Sequence, residues 1–136
     1  MTITTITDTF SASGELCEQD LKQLHEDGVS TIINVRPDNE APEQITNAQW
    51  NTLCQQYGLQ YVFIPVKSGQ YSEHDVKQFK DAFDNAQKKV HCFCRTGTRA
   101  VHLFALANKD TDSIKQLQTA ITSKGYDLRA ISEELK

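Results

Sequence analysis

The chemistry in this chain is concentrated in residues 89–101, KVHCFCRTGTRAV. A short apolar run carries two cysteines and then breaks into Arg-Thr-Gly-Thr-Arg. Gly97 lets the backbone turn tightly, so the amides of residues 95–99 can point inward as the next helix begins. Successive inward N–H groups at a helix N-terminus form a cradle for a tetrahedral oxyanion. Arg99 adds a two-pronged fork for two oxygens. A cysteine at the mouth of such a cradle has its thiolate stabilised by the same amides, which arms it as a nucleophile. Position decides between the two cysteines. Cys92 lies inside the apolar run, with six residues between it and Arg99, whereas Cys94 is the last residue before the turn, with four residues between it and Arg99. Cys94 is therefore the expected nucleophile, with Arg95, Thr96, Gly97, Thr98 and Arg99 as the oxyanion-binding loop. Phosphate or sulfur transfer through a covalent cysteine fits this arrangement.

Such a loop needs a scaffold, and the rest of the chain supplies one. Ser13 is expected to cap a helix from about Glu15 to Glu26, which Gly28 stops. Val29 to Val35 reads as a buried strand rich in β-branched residues. RPDNEAPEQ is a loop punctuated by Pro37 and Pro42. Thr46 or Asn47 opens a second helix, and LQYVFIPV is the next strand. Ser72 and Asp75 form a capping box before a third helix that carries Val76, Phe79 and Phe83. KKVHCFC is another strand, followed by a helix from about Arg99 to Asn108. Two further helical stretches are expected near 112–123 and 128–135. Strands alternating with helices predict an α/β fold with a mostly parallel central sheet flanked by helices. Ligands bind beyond the carboxyl ends of such strands. The segments RPDNE, KSGQY and CRTGTR all lie at such ends and should converge on one rim.

Composition narrows the partners. At 136 residues the chain reads as a single domain over 1–136, large enough to bury a core without cross-links. With 18 acidic against 14 basic residues its formal charge is −4, which argues against a nucleic-acid or anionic-membrane surface. No run is long enough to span a bilayer, and the start MTITTITDTF has neither the basic nor the apolar region of a signal peptide. The four cysteines, at 17, 54, 92 and 94, are read as reduced thiols in a cytoplasmic setting. The expected partner is a phosphorylated small molecule or phosphoprotein. No cofactor or metal is expected.

The segments GVSTIINVRPDNE, YVFIPV, SEHDVKQF and CRTGTR resemble the DUF442 family, the phosphatase-like domain of beta-lactamase-hydrolase-like proteins, related to dual-specificity phosphatases. The resemblance runs from about residue 8 to the C-terminus and implies the cysteine-phosphatase fold and hydrolysis of phosphate monoesters through a phosphocysteine. Carried over by position, Cys94 is the nucleophile, Arg99 the oxyanion clamp and Arg95 to Thr98 the cradle. His91 and Cys92 do not fit the tyrosine-phosphatase pattern of His-Cys, five residues and arginine. Two further departures stand out. The loop after the IPV strand, KSGQYSEHD, has no carboxylate before Glu73 to protonate a leaving group, a contribution worth about 10²-fold or more. Ala100 also stands where such phosphatases place a hydroxyl residue. Asp38 in the RPDNE loop is the expected substitute acid, and Thr96 or Thr98 the substitute hydroxyl. The four-residue spacing also resembles rhodanese loops, in which cysteine carries a persulfide, and this leaves a sulfur carrier as an alternative. A phospho-ligand binding module with weak catalysis is a third reading.

Other residues have plainer readings. Cys17 and Cys54 are expected to be buried, inert thiols on helices. Cys92 and His91 read as packed strand residues, and a zinc site from His91, Cys92, Cys94 and His102 lacks standard ligand spacing. Arg36 and Asp38 either serve the site, pair with each other or cap a turn.

Overall fold

The computed structural model describes residues 3–136. Its centre is a five-stranded sheet built from β1 (Thr4–Thr7), β2 (Phe10–Ser13), β3 (Val29–Asn34), β4 (Gln60–Phe63) and β5 (Lys89–Phe93). The order across the sheet is β1-β2-β5-β3-β4. β1 runs antiparallel to β2, and every other neighbouring pair is parallel. The mostly parallel α/β architecture is therefore the observed one.

Helices α1 (Glu18–Glu26), α2 (Asn47–Gln56), α3 (Glu73–Asn85), α4 (Thr98–Ala107) and α5 (Ile114–Ser123) cover the sheet. Alternate residues of each strand face opposite layers, and β5 shows the division. Phe93 joins Leu21, Leu24, Trp50 and Cys54 on the α1–α2 side. Val90, Cys92 and Cys94 join Phe79, Leu103, Phe104 and Ile121 on the α3–α5 side. The capping box read at Ser72 forms with Asp75, and Thr46, one of the two expected openers of α2, makes a capping box of its own with Gln49.

Three local expectations are corrected. The N-terminal segment forms the β1–β2 hairpin, so Ser13 is a buried strand residue and not a helix cap. Cys17 takes the cap of α1 instead: its N–H and thiol both point at the Asp20 carboxylate, at 2.8 and 3.2 Å. Cys17 is consequently exposed, and only Cys54 of that pair is a core thiol. The last expected helix contracts to a single turn of 3₁₀ helix, Arg129–Ile131.

Register explains where the site must be. Ser13 pairs with Phe93, Phe93 with Asn34, and Asn34 with Phe63. Four parallel strands thus end in line, and the segments that follow them, starting at residues 14, 94, 35 and 64, leave from one rim. The Arg36, Lys67 and Cys94 loops meet there as expected. The segment after β2 joins them.

Candidate active site

β5 delivers Cys94 to this rim as the first residue beyond the strand. Its amide still extends the sheet, donating to the Ser13 carbonyl at 3.4 Å. The chain then turns through Gly97, whose φ of 95° lies in the left-handed region. A side chain there is disfavoured twice over, because a Cβ on Gly97 would sit 2.6 Å from the Tyr126 hydroxyl. With this turn the Gly97 N–H donates to Cys94 Sγ at 3.1 Å, and α4 begins at Thr98. A sulfur anion at this point has an amide donor and a helix N-terminus beside it. Cys92, two residues back, is wholly buried. Burial pushes its thiol well above the ordinary range, and the charge of Cys94 adds to this. Cys94 is buried as well, so what separates the two sulfurs is the Gly97 N–H that Cys94 Sγ accepts at the turn, whereas Cys92 lies within β5.

Arg99, in the first turn of α4, is only 8% exposed. Its guanidinium is held from behind. Nη1 and Nη2 donate to the two carboxylate oxygens of Glu40 at 2.8 and 2.9 Å, and Nη1 also donates to the Val66 carbonyl at 2.9 Å. Three strand-end segments therefore meet at this one side chain. Glu40 also accepts from Arg36 Nε at 3.0 Å, and Arg36 Nη1 lies 3.2 Å from Glu15 Oε1. The sequence reading singled out neither Glu40 nor Glu15. The loop turns at Asn39, whose φ of 68° is left-handed, and Glu40 folds back towards Arg36 and Arg99. The pair with Arg99 holds the Glu40 carboxyl below its ordinary 4.5, despite some desolvation. The same hydrogen bond raises Arg99. Glu40 is thus an ionised anchor and a poor proton donor. Glu15, by contrast, is raised by burial against the opposing pull of Arg36.

The structure gives Asp38, expected as the acid, a different engagement. Its Oδ1 accepts the backbone N–H of Asn47 at 2.8 Å, satisfying an unpaired donor in the first turn of α2. It makes no pair with Arg36, whose partners are the two glutamates. Arg95 and Thr96 are exposed and Thr98 half-buried, with the two threonine hydroxyls 3.3 Å apart. Ala100 is buried. The loop after β4 contributes Tyr71, which lies close enough to Cys94 and Arg99 to feel both charges, although burial is the main cause of its raised pKa. Tyr71 Oη is 2.8 Å from His102 Nδ1, and His102 Nε2 is 2.7 Å from the Asp127 carbonyl. A carbonyl only accepts, so the proton is on Nε2 and the Tyr71 hydroxyl donates to Nδ1. His91 likewise spends both nitrogens on serine hydroxyls. No group of three metal-binding side chains gathers among the described residues.

A strand-end cysteine, a glycine turn, a helix N-terminus and an anchored arginine on this sheet define the cysteine-phosphatase fold. The PTPMT1 structure in complex with PI(5)P has it too: at 14% identity it covers 98% of this chain and 94% of its own, with a TM-score of 0.75. The chain belongs to the family described as "Beta-lactamase hydrolase-like protein, phosphatase-like domain", whose model matches residues 2–111 and so includes the whole loop. It is 31% identical over 133 residues to the beta-lactamase hydrolase-like protein of Agrobacterium fabrum. That match takes in 96% of this chain and 31% of the relative, so the chain spans about a third of the length of such curated relatives. A crystal structure of a phosphatase candidate from Neisseria meningitidis superposes with a TM-score of 0.85 at 28% identity, covering 100% of this chain and 97% of that one. No helix among the described residues is long and apolar enough to cross a membrane.

Proposed function

We propose that the domain is a cysteine-dependent phosphatase that hydrolyses phosphate monoesters, of a small molecule or a phosphoprotein, through a phosphocysteine on Cys94. The observation that carries this reading is the Gly97 N–H on Cys94 Sγ at the start of α4, with Arg99 anchored beside it. The Cys94 thiolate attacks phosphorus, the ester oxygen leaves with its electron pair, and water then cleaves the S–P bond to release phosphate. Nε of Arg99 and the second hydrogen of Nη2 remain free of Glu40 to hold the equatorial oxygens, together with the loop amides. Glu40 is held ionised and Asp38 is bonded to α2. The protein should therefore favour esters whose leaving group departs without a proton, such as aryl phosphates. In the test, Cys94→Ser abolishes p-nitrophenyl phosphate turnover and Cys92→Ser preserves most of it. Equal loss in two folded variants overturns the assignment.

One observation favours a second reading. Four residues separate Cys94 from Arg99, the spacing of rhodanese loops, and sulfane-sulfur transfer needs no carboxylic acid for its leaving group. In that reaction the Cys94 thiolate attacks the outer sulfur of thiosulfate and sulfite leaves. The resulting persulfide then passes its sulfur to a thiol or to cyanide. Thiocyanate formation with a persulfide on Cys94, and no phosphate release, would select this reading.

A further inference from the structure

We propose that His91, Ser13 and Gly14 are positioning residues that turn the Arg95–Thr96 peptide so that its N–H faces the anion held at Cys94. The inference rests on the reading of Cys94 as the nucleophile.

The argument starts from a buried histidine with no slack. His91 is fully buried in the middle of β5, with Ser11 Oγ 2.7 Å from Nδ1 and Ser13 Oγ 2.8 Å from Nε2. Ser13 Oγ uses its own proton on the Gly14 carbonyl, at 2.8 Å. It can only accept from the ring, so Nε2 carries the proton and Nδ1 accepts from Ser11. The chain of donors runs one way, from Ser11 through His91 and Ser13 to the Gly14 carbonyl.

Two planar trans peptides carry that direction into the loop. In each, the C=O and the following N–H point in opposite directions. With the Gly14 carbonyl held back by Ser13, the Glu15 N–H points the other way, and it donates to the Arg95 carbonyl at 3.4 Å. With the Arg95 carbonyl drawn to Glu15, the Thr96 N–H points away from β2. We place on that side the anion at Cys94, whose Sγ already accepts the Gly97 N–H. The close approach is what requires a glycine at 14. Gly14 does not adopt a left-handed backbone, but a Cβ there would sit 2.7 Å from the Arg95 carbonyl oxygen. None of these groups needs to touch a substrate; they fix one donor of the cradle.

The test compares two alkylating reagents on the intact chain. Iodoacetate is an anion and profits from an inward amide, whereas neutral iodoacetamide does not. The ratio of their rates at Cys94 cancels changes in access and in thiolate fraction, which a merely structural role would alter for both. Losing one hydrogen bond to a charged group lowers that ratio by roughly tenfold or more. We expect this fall in Gly14→Ala, and a smaller fall in Ser13→Ala, with Cys94 still alkylated by iodoacetamide. An unchanged ratio in folded Gly14→Ala overturns the proposal. If Gly14→Ala does not fold, Ser13→Ala decides, because it adds no volume beside Arg95. Failure of the underlying reading looks different: the parent protein would then show no preferential labelling of Cys94 over Cys92 by either reagent.

Discussion

Replacing His91 with glutamine probes the buried network behind the candidate loop. The ring is fully buried between two serine hydroxyls. Desolvation pulls its pKa from the ordinary 6.5 to about 4, with the charge of Asp20 opposing. Between these values the unfolded chain holds a proton on the ring and the folded chain does not. Stability therefore rises with pH across the window, is fully present above 6.5, and is lost as pH falls towards 4. At about 1.36 kcal/mol per pH unit the shift corresponds to roughly 3 kcal/mol, a large part of the stability of an ordinary domain. Glutamine offers the serines a donor and an acceptor but takes up no proton. Glu15, raised, and Glu40, lowered, titrate nearby in both proteins and drop out of the comparison. Urea unfolding of parent and His91→Gln, at steps from neutral pH down to about 4, measures the difference. The parent's margin over the variant should shrink by about 3 kcal/mol over that range. Two curves that stay parallel would refute the view that His91 is held neutral in the fold.

Glu40→Gln should leave the protein folded but loosen Arg99, weakening phosphate or vanadate binding by about ten- to a hundredfold, as for loss of a charged hydrogen bond; unchanged affinity would show that Val66 alone suffices as the anchor. Arg99→Lys should lower turnover by roughly 10²- to 10³-fold, because a point charge cannot replace the fork, and near-parental steady-state rates would contradict the clamp. Asp38→Asn should cost at most about 1 kcal/mol of helix-terminus interaction and affect aryl and alkyl phosphates equally in parallel rate assays. A loss confined to alkyl phosphates would instead identify Asp38 as the proton donor. Gly97→Ala should abolish turnover and lower the melting temperature, since the new methyl meets both a positive φ and the Tyr126 hydroxyl; an active variant would show that the turn tolerates a side chain.

The parts of this fold that were legible carry local signals. The β-branched run at 29–35 and the apolar run at 89–93 are central strands, and the Ser72 capping box opens α3. Cys94, Gly97 and Arg99 declare themselves because their spacing is covalent and their chemistry depends on little else. The hairpin at residues 4–13 was hidden by its composition. Threonine and serine dominate it, its outer strand has one covered edge, and no continuous apolar run marks it. The expected cap at Ser13 failed for the same reason, since a serine before a helical pattern does not reveal that its hydroxyl is committed to a histidine 78 positions away. Glu40 was illegible for a different reason. Its pairing with Arg99 spans 59 positions and depends on a left-handed Asn39, so RPDNE alone does not say which of its acids turns inward.

The measurement that tests the central claim most directly is the identity of the covalent intermediate. The parent protein is acid-quenched during p-nitrophenyl phosphate turnover, and fragmentation mass spectrometry of the peptide holding both Cys92 and Cys94 locates the adduct. The account predicts a phosphoryl group on Cys94 and an unmodified Cys92. A phosphoryl group on Cys92, or nitrophenol release with no adduct on either sulfur, would contradict it.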